Sequence, residues 1–208
     1  MSHSELHGLY AITRPGPDLI TTTAAILRGG ARLIQYRDKS HDAAARRQTC
    51  TALVTLCRQF DTPLIVNDDV ELAAACGAQG VHLGQHDADC GHARERLGAN
   101  AIIGISCYAT LALGIAAERA GADYAAFGSC FPSPTKPDAV RATPALCTAA
   151  RRRLSIPIVA IGGIHAANAT LVRDAGAHMA AMISALYDAP DPEAATRALH
   201  HTWYDLHA

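Results

Sequence analysis

The sequence predicts an α/β protein folded as one closed (β/α)₈ barrel, and three observations carry that prediction. Eight short apolar runs alternate with Ala-, Leu- and Arg-rich stretches in which apolar residues recur three or four positions apart. Each run is almost continuously apolar, as parallel strands are when helices cover the sheet, and no separate block of hairpins interrupts the alternation. The third observation is a weak internal repeat. Gly30-Ala31, Gly77-Ala78, Gly121-Ala122 and Gly176-Ala177 each end a helical stretch just before a strand, where glycine serves as a left-handed helix cap.

Taken in order, the strands are read at Gly8–Thr13, Arg32–Tyr36, Pro63–Val66, Gly80–Leu83, Ile102–Ile105, Tyr124–Phe127, Ile158–Ile161 and Ala180–Ile183. Helical periodicity is clearest over Ala43–Phe60 and Leu111–Ala120. Eight units favour a closed TIM barrel over the alternative of an open doubly wound sheet, although 208 residues is short for one. The first strand-to-helix turn, Thr13-Arg14-Pro15-Gly16-Pro17, lacks G-x-G-x-x-G, so a dinucleotide fold is not indicated. No linker or low-complexity segment divides the chain, and a single catalytic domain over residues 1–208 is expected.

Composition narrows the function classes. Half the residues are apolar and 18% are charged, which suits a packed core. A net charge of −1 gives no field to steer a nucleic acid or an anionic membrane. Seven cysteines at irregular spacings, with no C-x-x-C pair, read as reduced and mostly buried thiols. The N-terminus has neither a basic n-region nor a long apolar h-region, and no apolar run reaches about 18 residues. A cytoplasmic protein with small-molecule partners is the expectation; a homo-oligomer stays open.

In such barrels the active site forms at the C-terminal ends of the strands, and polar residues gather there. The second strand leads into Gln35-Tyr36-Arg37-Asp38-Lys39, the third into Asn67-Asp68-Asp69, and the fourth into Gly84-Gln85-His86-Asp87. Ser106 closes the fifth, Ser133-Pro134-Thr135-Lys136-Pro137 follows the sixth, Gly162-Gly163 the seventh and Ile183-Ser184 the eighth. The N-terminal strand ends, by contrast, show only Gly, Ala, Pro and Arg.

Of eighteen basic residues only Lys39 and Lys136 are lysines, and both fall in these loops. A compact ammonium suits a phosphate oxygen in a tight pocket; the alternative is two solvated surface lysines. Asp68 and Asp87, on neighbouring strand ends, can hold one Mg²⁺ that bridges to a diphosphate. Helix capping is the competing role, but Asp69 and Asp89 are better placed for it. Gly162-Gly163 and Ile183-Ser184 stand where barrels often bind a phosphate, although a plain tight turn would use the same glycines. His82 reads as a satisfied structural histidine, and Cys107 and Cys130 as packing. No nucleophile elbow, catalytic triad or histidine metal set appears. The rim thus suits two phosphorylated ligands, a diphosphate on metal and a monophosphate on glycine amides.

From Tyr10-Ala11-Ile12-Thr13 to Met182-Ile183-Ser184-Ala185 the chain resembles the thiamine phosphate synthase family. The resemblance is carried by Gln35–Lys39, Asn67-Asp68-Asp69, Gly80–Gln85 leading to Asp87, Ser106, Phe131–Asp138 and Ile161-Gly162-Gly163-Ile164; the loop Phe131–Asp138 is the most specific. It implies that hydroxymethylpyrimidine diphosphate is condensed with hydroxyethylthiazole phosphate, or its carboxylated form, to give thiamine phosphate and pyrophosphate. It further implies that Gln35, Tyr36, Arg37, Asp38, Lys39, Asn67, Ser106 and Lys136 hold the pyrimidine diphosphate, with Mg²⁺ on Asp68 and Asp87. Ser133, Pro134, Thr135, Gly163, Ile183 and Ser184 would bind the thiazole phosphate, and Lys136, Ser106 and Arg37 would carry catalysis. Ser133 replaces a threonine common in the family, and Tyr108 a common histidine. The reaction passes through a pyrimidine carbocation, which needs no strong base or nucleophile. The alternatives are a branch that isomerises a thiazole carboxylate phosphate, and a non-catalytic barrel that binds thiamine precursors.

Overall fold

The computed structural model describes residues 6–85, 87, 89–132 and 142–204. Strands and helices alternate as β1 (Gly8–Ile12), α1 (Leu19–Arg28), β2 (Leu33–Tyr36), α2 (Ala43–Arg58), β3 (Leu64–Asn67), α3 (Val70–Cys76), β4 (Gly80–Leu83) and α4 (Cys90–Leu97). There follow β5 (Ile102–Tyr108), α5 (Leu111–Arg119), β6 (Tyr124–Gly128), α6 (Pro144–Arg153), β7 (Ile158–Ile161) and α7 (Ala169–Asp174). The chain ends with β8 (Met179–Met182), a short α8 (Ser184–Tyr187) and α9 (Pro192–Tyr204). The eight strands are parallel and close into a barrel in sequence order, with β8 pairing β1 from Gly8↔Met179 to Ala11↔Met182. The open sheet is therefore excluded.

The expected strands are all present, with shifted ends. Thr13 lies beyond β1 but extends the ladder through its N–H to the Gln35 carbonyl (2.8 Å). β5 runs past Ser106 to Tyr108, with a register shift between the two where the strand pairs β6. β8 begins at Met179 and ends before Ile183.

Period-two alternation sorts the side chains into two cores. Leu9, Ala11, Ile34, Tyr36 and Val66 point outward and pack with the helices, while Tyr10, Ile12, Leu33, Ile65 and Tyr124 fill the barrel itself. The seven cysteines are free, six of them buried and Cys76 half-buried. Cys107 and Cys130 pack in the outer core; burial pushes the Cys107 thiol up to about 12. No helix among the described residues is long and apolar enough to cross a membrane.

The Gly-Ala repeat is one recurring hydrogen-bonded turn. In all four copies the alanine N–H returns to a carbonyl five residues back and the glycine N–H to one three residues back, as in Ala31 to Ile26 and Gly30 to Leu27. The four glycines have φ between 68° and 101°, the Schellman arrangement. A fifth copy ends α2 without glycine: Thr62 N–H bonds Cys57, Asp61 N–H bonds Arg58, and Asp61 takes φ 52°.

The two ends of the barrel use their polar residues differently. At the N-terminal end Gln79, Asp123 and His178 do precede strands, contrary to the expectation of Gly, Ala, Pro and Arg alone. Each accepts a strand N–H: Gln79 Oε1 from Leu64 (2.8 Å), Asp123 Oδ2 from Ile103 (2.6 Å) and His178 Nδ1 from Ile158 (3.0 Å). Asp123 also pairs with Arg94 at 2.9 Å. These side chains satisfy backbone groups and seal that end.

A left-handed conformation costs a non-glycine residue about 1 kcal/mol or more. Asp61→Gly should relieve that, less the extra freedom glycine has when unfolded, for a gain of about 0.5–1 kcal/mol and roughly 1–4 °C in Tm. Thermal unfolding followed by circular dichroism would show it; an unchanged or lower Tm would mean that Asp61 is not strained.

Candidate active site

Two adjoining concavities open at the C-terminal rim. The larger, about 630 Å³, lies over the barrel mouth and is lined by Ile12, Gln35, Arg37, Ser106, Ala126, Ile161 and Ala181, and by Gly162, Gly163, Ile183 and Ser184. The second, about 500 Å³, is a cleft between the loops after β2 and β3, lined by Asp38, Lys39, Asn67, Asp68 and Asp69 together with Arg46 and His92. The expected pyrimidine set is thus split. Gln35, Arg37 and Ser106 share the larger cavity with the expected thiazole-phosphate residues Gly163, Ile183 and Ser184, while Asp38, Lys39 and Asn67 line the cleft. Ser133, Pro134, Thr135 and Lys136 lie outside the described residues.

Tyr36 lines neither space. Strand alternation turns it outward into the core between sheet and helices, and its hydroxyl donates to Asp38 Oδ2 (3.1 Å). The other Asp38 oxygen accepts from Ser40 N–H (2.8 Å). Tyr36 and Asp38 therefore shape the β2 loop. Thr13 braces the same loop, since its hydroxyl oxygen accepts from Arg37 N–H (2.8 Å).

Asp69 and Asp89 are the caps expected of them, accepting from Leu72 N–H (2.8 Å) and His92 N–H (2.7 Å). Asp68 does not cap. It has φ 64°, and its carboxylate lies 3.8 Å from Lys39 Nζ. Burial raises its pKa and the adjacent Asp87 carboxyl raises it further, while Lys39 opposes the shift. Asp87 is held by Gly84 N–H, which donates to Oδ2 (2.6 Å). Two carboxyls brought together at the edge of a cation-bearing cleft form an all-oxygen donor pair. Among the described residues no cluster of three or more His, Cys, Asp or Glu completes a protein-only cage.

After β7, Gly162 and Gly163 both take positive φ, 101° and 63°. Their conformation serves packing as well as any ligand. Phe131 N–H bonds the Gly162 carbonyl (3.0 Å), and a Cβ on Gly163 would press on the backbone of Phe131 and Pro132. Asn168, unnoticed in the sequence, donates to the Gly163 carbonyl (2.9 Å) and fixes the turn. Ser184 opens α8 beside it, the arrangement in which barrels combine the loops after strands seven and eight with a short extra helix.

His82 is buried within the barrel. Burial pushes its pKa down to about 4, with a smaller opposing pull from Asp87, so the ring is neutral. Tyr108, Thr110 and Ser129 also line the larger cavity. Tyr108, the last residue of β5, and Ser129, directly after the Gly128 that ends β6, both stand at strand ends; reading β5 as ending at Ile105 and β6 at Phe127 left both outside the expected site.

Fold and rim define the class: a (β/α)₈ barrel whose polar C-terminal face encloses two neighbouring binding spaces. The chain belongs to the thiamine monophosphate synthase family, whose model matches residues 9–186. It is 54% identical over 198 residues to a thiamine-phosphate synthase of Thioalkalivibrio sulfidiphilus, covering 93% of this chain and 94% of that one. A second, from Thiobacillus denitrificans, is 53% identical over 196 residues, covering 93% of each. The solved thiamine phosphate pyrophosphorylase of Pyrococcus furiosus superposes with a TM-score of 0.85 at 35% identity, covering 93% of this chain and 94% of the other.

Gly163→Ala should cost about 1–3 kcal/mol through overpacking against Phe131 and Pro132, seen as a fall of several degrees in Tm. An unchanged Tm would show that the β6 loop does not depend on this contact.

Proposed function

We propose that the chain is a thiamine phosphate synthase, a transferase that joins hydroxymethylpyrimidine diphosphate to hydroxyethylthiazole phosphate, or its carboxylated form, with release of pyrophosphate. The observation that carries this reading is identity above one half to thiamine-phosphate synthases over nine-tenths of both chains. The enzyme works as one catalytic domain over residues 1–208, in the cytoplasm, on small phosphorylated substrates.

In the reaction the pyrimidine methylene–oxygen bond breaks and its electron pair leaves with the diphosphate. The resulting cation is stabilised by the pyrimidine ring, and the thiazole nitrogen lone pair forms the new carbon–nitrogen bond. Gln35 and Ser106 orient the pyrimidine over the barrel mouth. Arg37, Lys39, Asn67 and Lys136 hold the diphosphate, while Gly163, Ile183, Ser184 and the loop bearing Ser133, Pro134 and Thr135 hold the thiazole phosphate. Asp68 and Asp87 would hold Mg²⁺, whose charge stabilises the leaving group. The Asp68–Asp87 pair fits that ion: its donors are all oxygen, and the adjacent Asp87 carboxyl helps raise the Asp68 pKa, a repulsion that a bound cation would relieve. Catalysis then consists of positioning and of charge placed where the diphosphate departs.

Purified protein given both phosphorylated precursors and Mg²⁺ should form thiamine phosphate and pyrophosphate in equal amounts. Absence of both products, or pyrophosphate without thiamine phosphate, would refute the assignment. Asp68→Asn and Asp87→Asn should each weaken activation by Mg²⁺ and lower turnover with little change in Tm; wild-type activity of both at low Mg²⁺ would remove these residues from the site.

Lys136 provides the sharpest test of leaving-group stabilisation. Lys136→Ala should lose about 2–4 kcal/mol of transition-state stabilisation, lowering kcat and kcat/KM together. Lys136→Arg should recover only part, because a planar fork does not replace a compact ammonium between Pro134 and Pro137. Steady-state kinetics decide: if arginine restores wild-type rates, only the charge matters, and if alanine does, Lys136 does not meet the leaving group.

A further inference from the structure

Below the larger cavity a continuous run of side-chain hydrogen bonds crosses the barrel. Gln35 Nε2 donates to Tyr10 Oη (2.6 Å), and Tyr10 Oη lies 2.9 Å from Tyr124 Oη. Tyr124 Oη lies 2.9 Å from His82 Nδ1, and His82 Nε2 lies 2.9 Å from Ser106 Oγ. Five strands contribute one residue each. The ends, Gln35 and Ser106, line the cavity, whereas Tyr10, Tyr124 and His82 are buried beneath it. The run is built into the packing: Gly104 has no side chain where a Cβ would overlap the Tyr124 ring, and the His82 ring stacks on Tyr124 with planes 12° apart.

Proton counting gives the run a direction. Each phenol has one proton to donate, and the neutral imidazole has one N–H and one lone pair. With a Gln35 N–H committed to Tyr10, Tyr10 donates to Tyr124 and Tyr124 to His82 Nδ1. His82 then carries its proton on Nε2 and donates to Ser106. Reversing any single link would set two donors or two acceptors face to face in a buried place, so the direction is a property of the whole run.

We infer that Tyr10, Tyr124 and His82 are positioning residues that fix the hydrogen-bond polarity of the cavity floor, so that Gln35 presents its carbonyl oxygen as an acceptor and Ser106 its hydroxyl as a donor. This rests on the reading of Gln35 and Ser106 as pyrimidine contacts. An aminopyrimidine edge carries the complementary pair, an amino N–H donor and a ring-nitrogen acceptor. The three residues would thus determine which ring is accepted without touching it. The thiazole phosphate, held at the β7 and β8 ends, would be insensitive to them.

Two measurements test this. A long-range ¹H–¹⁵N correlation spectrum of the unliganded, ¹⁵N-labelled full chain, with His82 assigned through His82→Gln, should show the Nε2–H tautomer; the Nδ1–H tautomer would overturn the stated polarity. Tyr124→Phe keeps the ring but removes the link. It should raise the KM for the pyrimidine diphosphate about tenfold and change that for thiazole phosphate less than twofold. Equal changes in both, or a lower Tm with neither KM moved, would make Tyr124 merely structural and overturn the positioning role. A wild-type protein without turnover would instead refute the proposed function, and the tautomer would then decide the polarity by itself.

Discussion

Closure of the sheet by the β8–β1 ladder is the constraint on which the rest of the molecule depends. Four register pairs, Gly8↔Met179 through Ala11↔Met182, remove the last open strand edges. They also bring all eight C-terminal strand ends onto one ring. Closure makes the interior finite, so bulk in one place requires its absence in another. Tyr10, Tyr124 and His82 fit because Gly104, Ala126 and Ala181 take other inward positions.

Within that ring the two ends of the barrel divide the polar residues between them. At the N-terminal end Gln79, Asp123 and His178 meet strand N–H groups and close the structure. At the C-terminal end Gln35, Arg37, Lys39, Asn67, Asp68 and Ser106 face open space. Both ends carry side chains able to bind ligands; the rim groups named here line cavities, whereas Gln79, Asp123 and His178 are engaged by strand N–H groups. The polar floor beneath the rim is the exception within the barrel, and it persists because every member has a partner.

Much of this could be read from the sequence, for identifiable reasons. Near-continuous apolar runs located all eight strands, and the Gly-Ala pairs located four of the helix-to-strand turns, because both signals are local. Asp69 and Asp89 were separable from Asp68 and Asp87 because a cap must stand directly before its helix. What stayed hidden is non-local. A strand buried on both faces has no polar alternation to reveal which side chains point inward, so Tyr36 was grouped with Gln35 and Arg37 although it turns away from them. The pairing of Tyr10 with Tyr124, 114 residues apart, needs the closed barrel. The left-handed Asp61 carries no glycine to mark it, and the bond from Asn168 to Gly163 depends on a turn whose shape only the fold supplies.

If the C-terminal ring of strand ends binds the ligands, the opposite end of the barrel stays untouched. Hydrogen–deuterium exchange with and without saturating thiamine phosphate, pyrophosphate and Mg²⁺ tests it most directly. Slower exchange is expected in peptides covering residues 35–39, 67–69, 106–110, 129–132 and 162–164, with none at residues 79, 123 and 178. Protection concentrated at residues 79, 123 and 178, or spread equally over both ends, would contradict it.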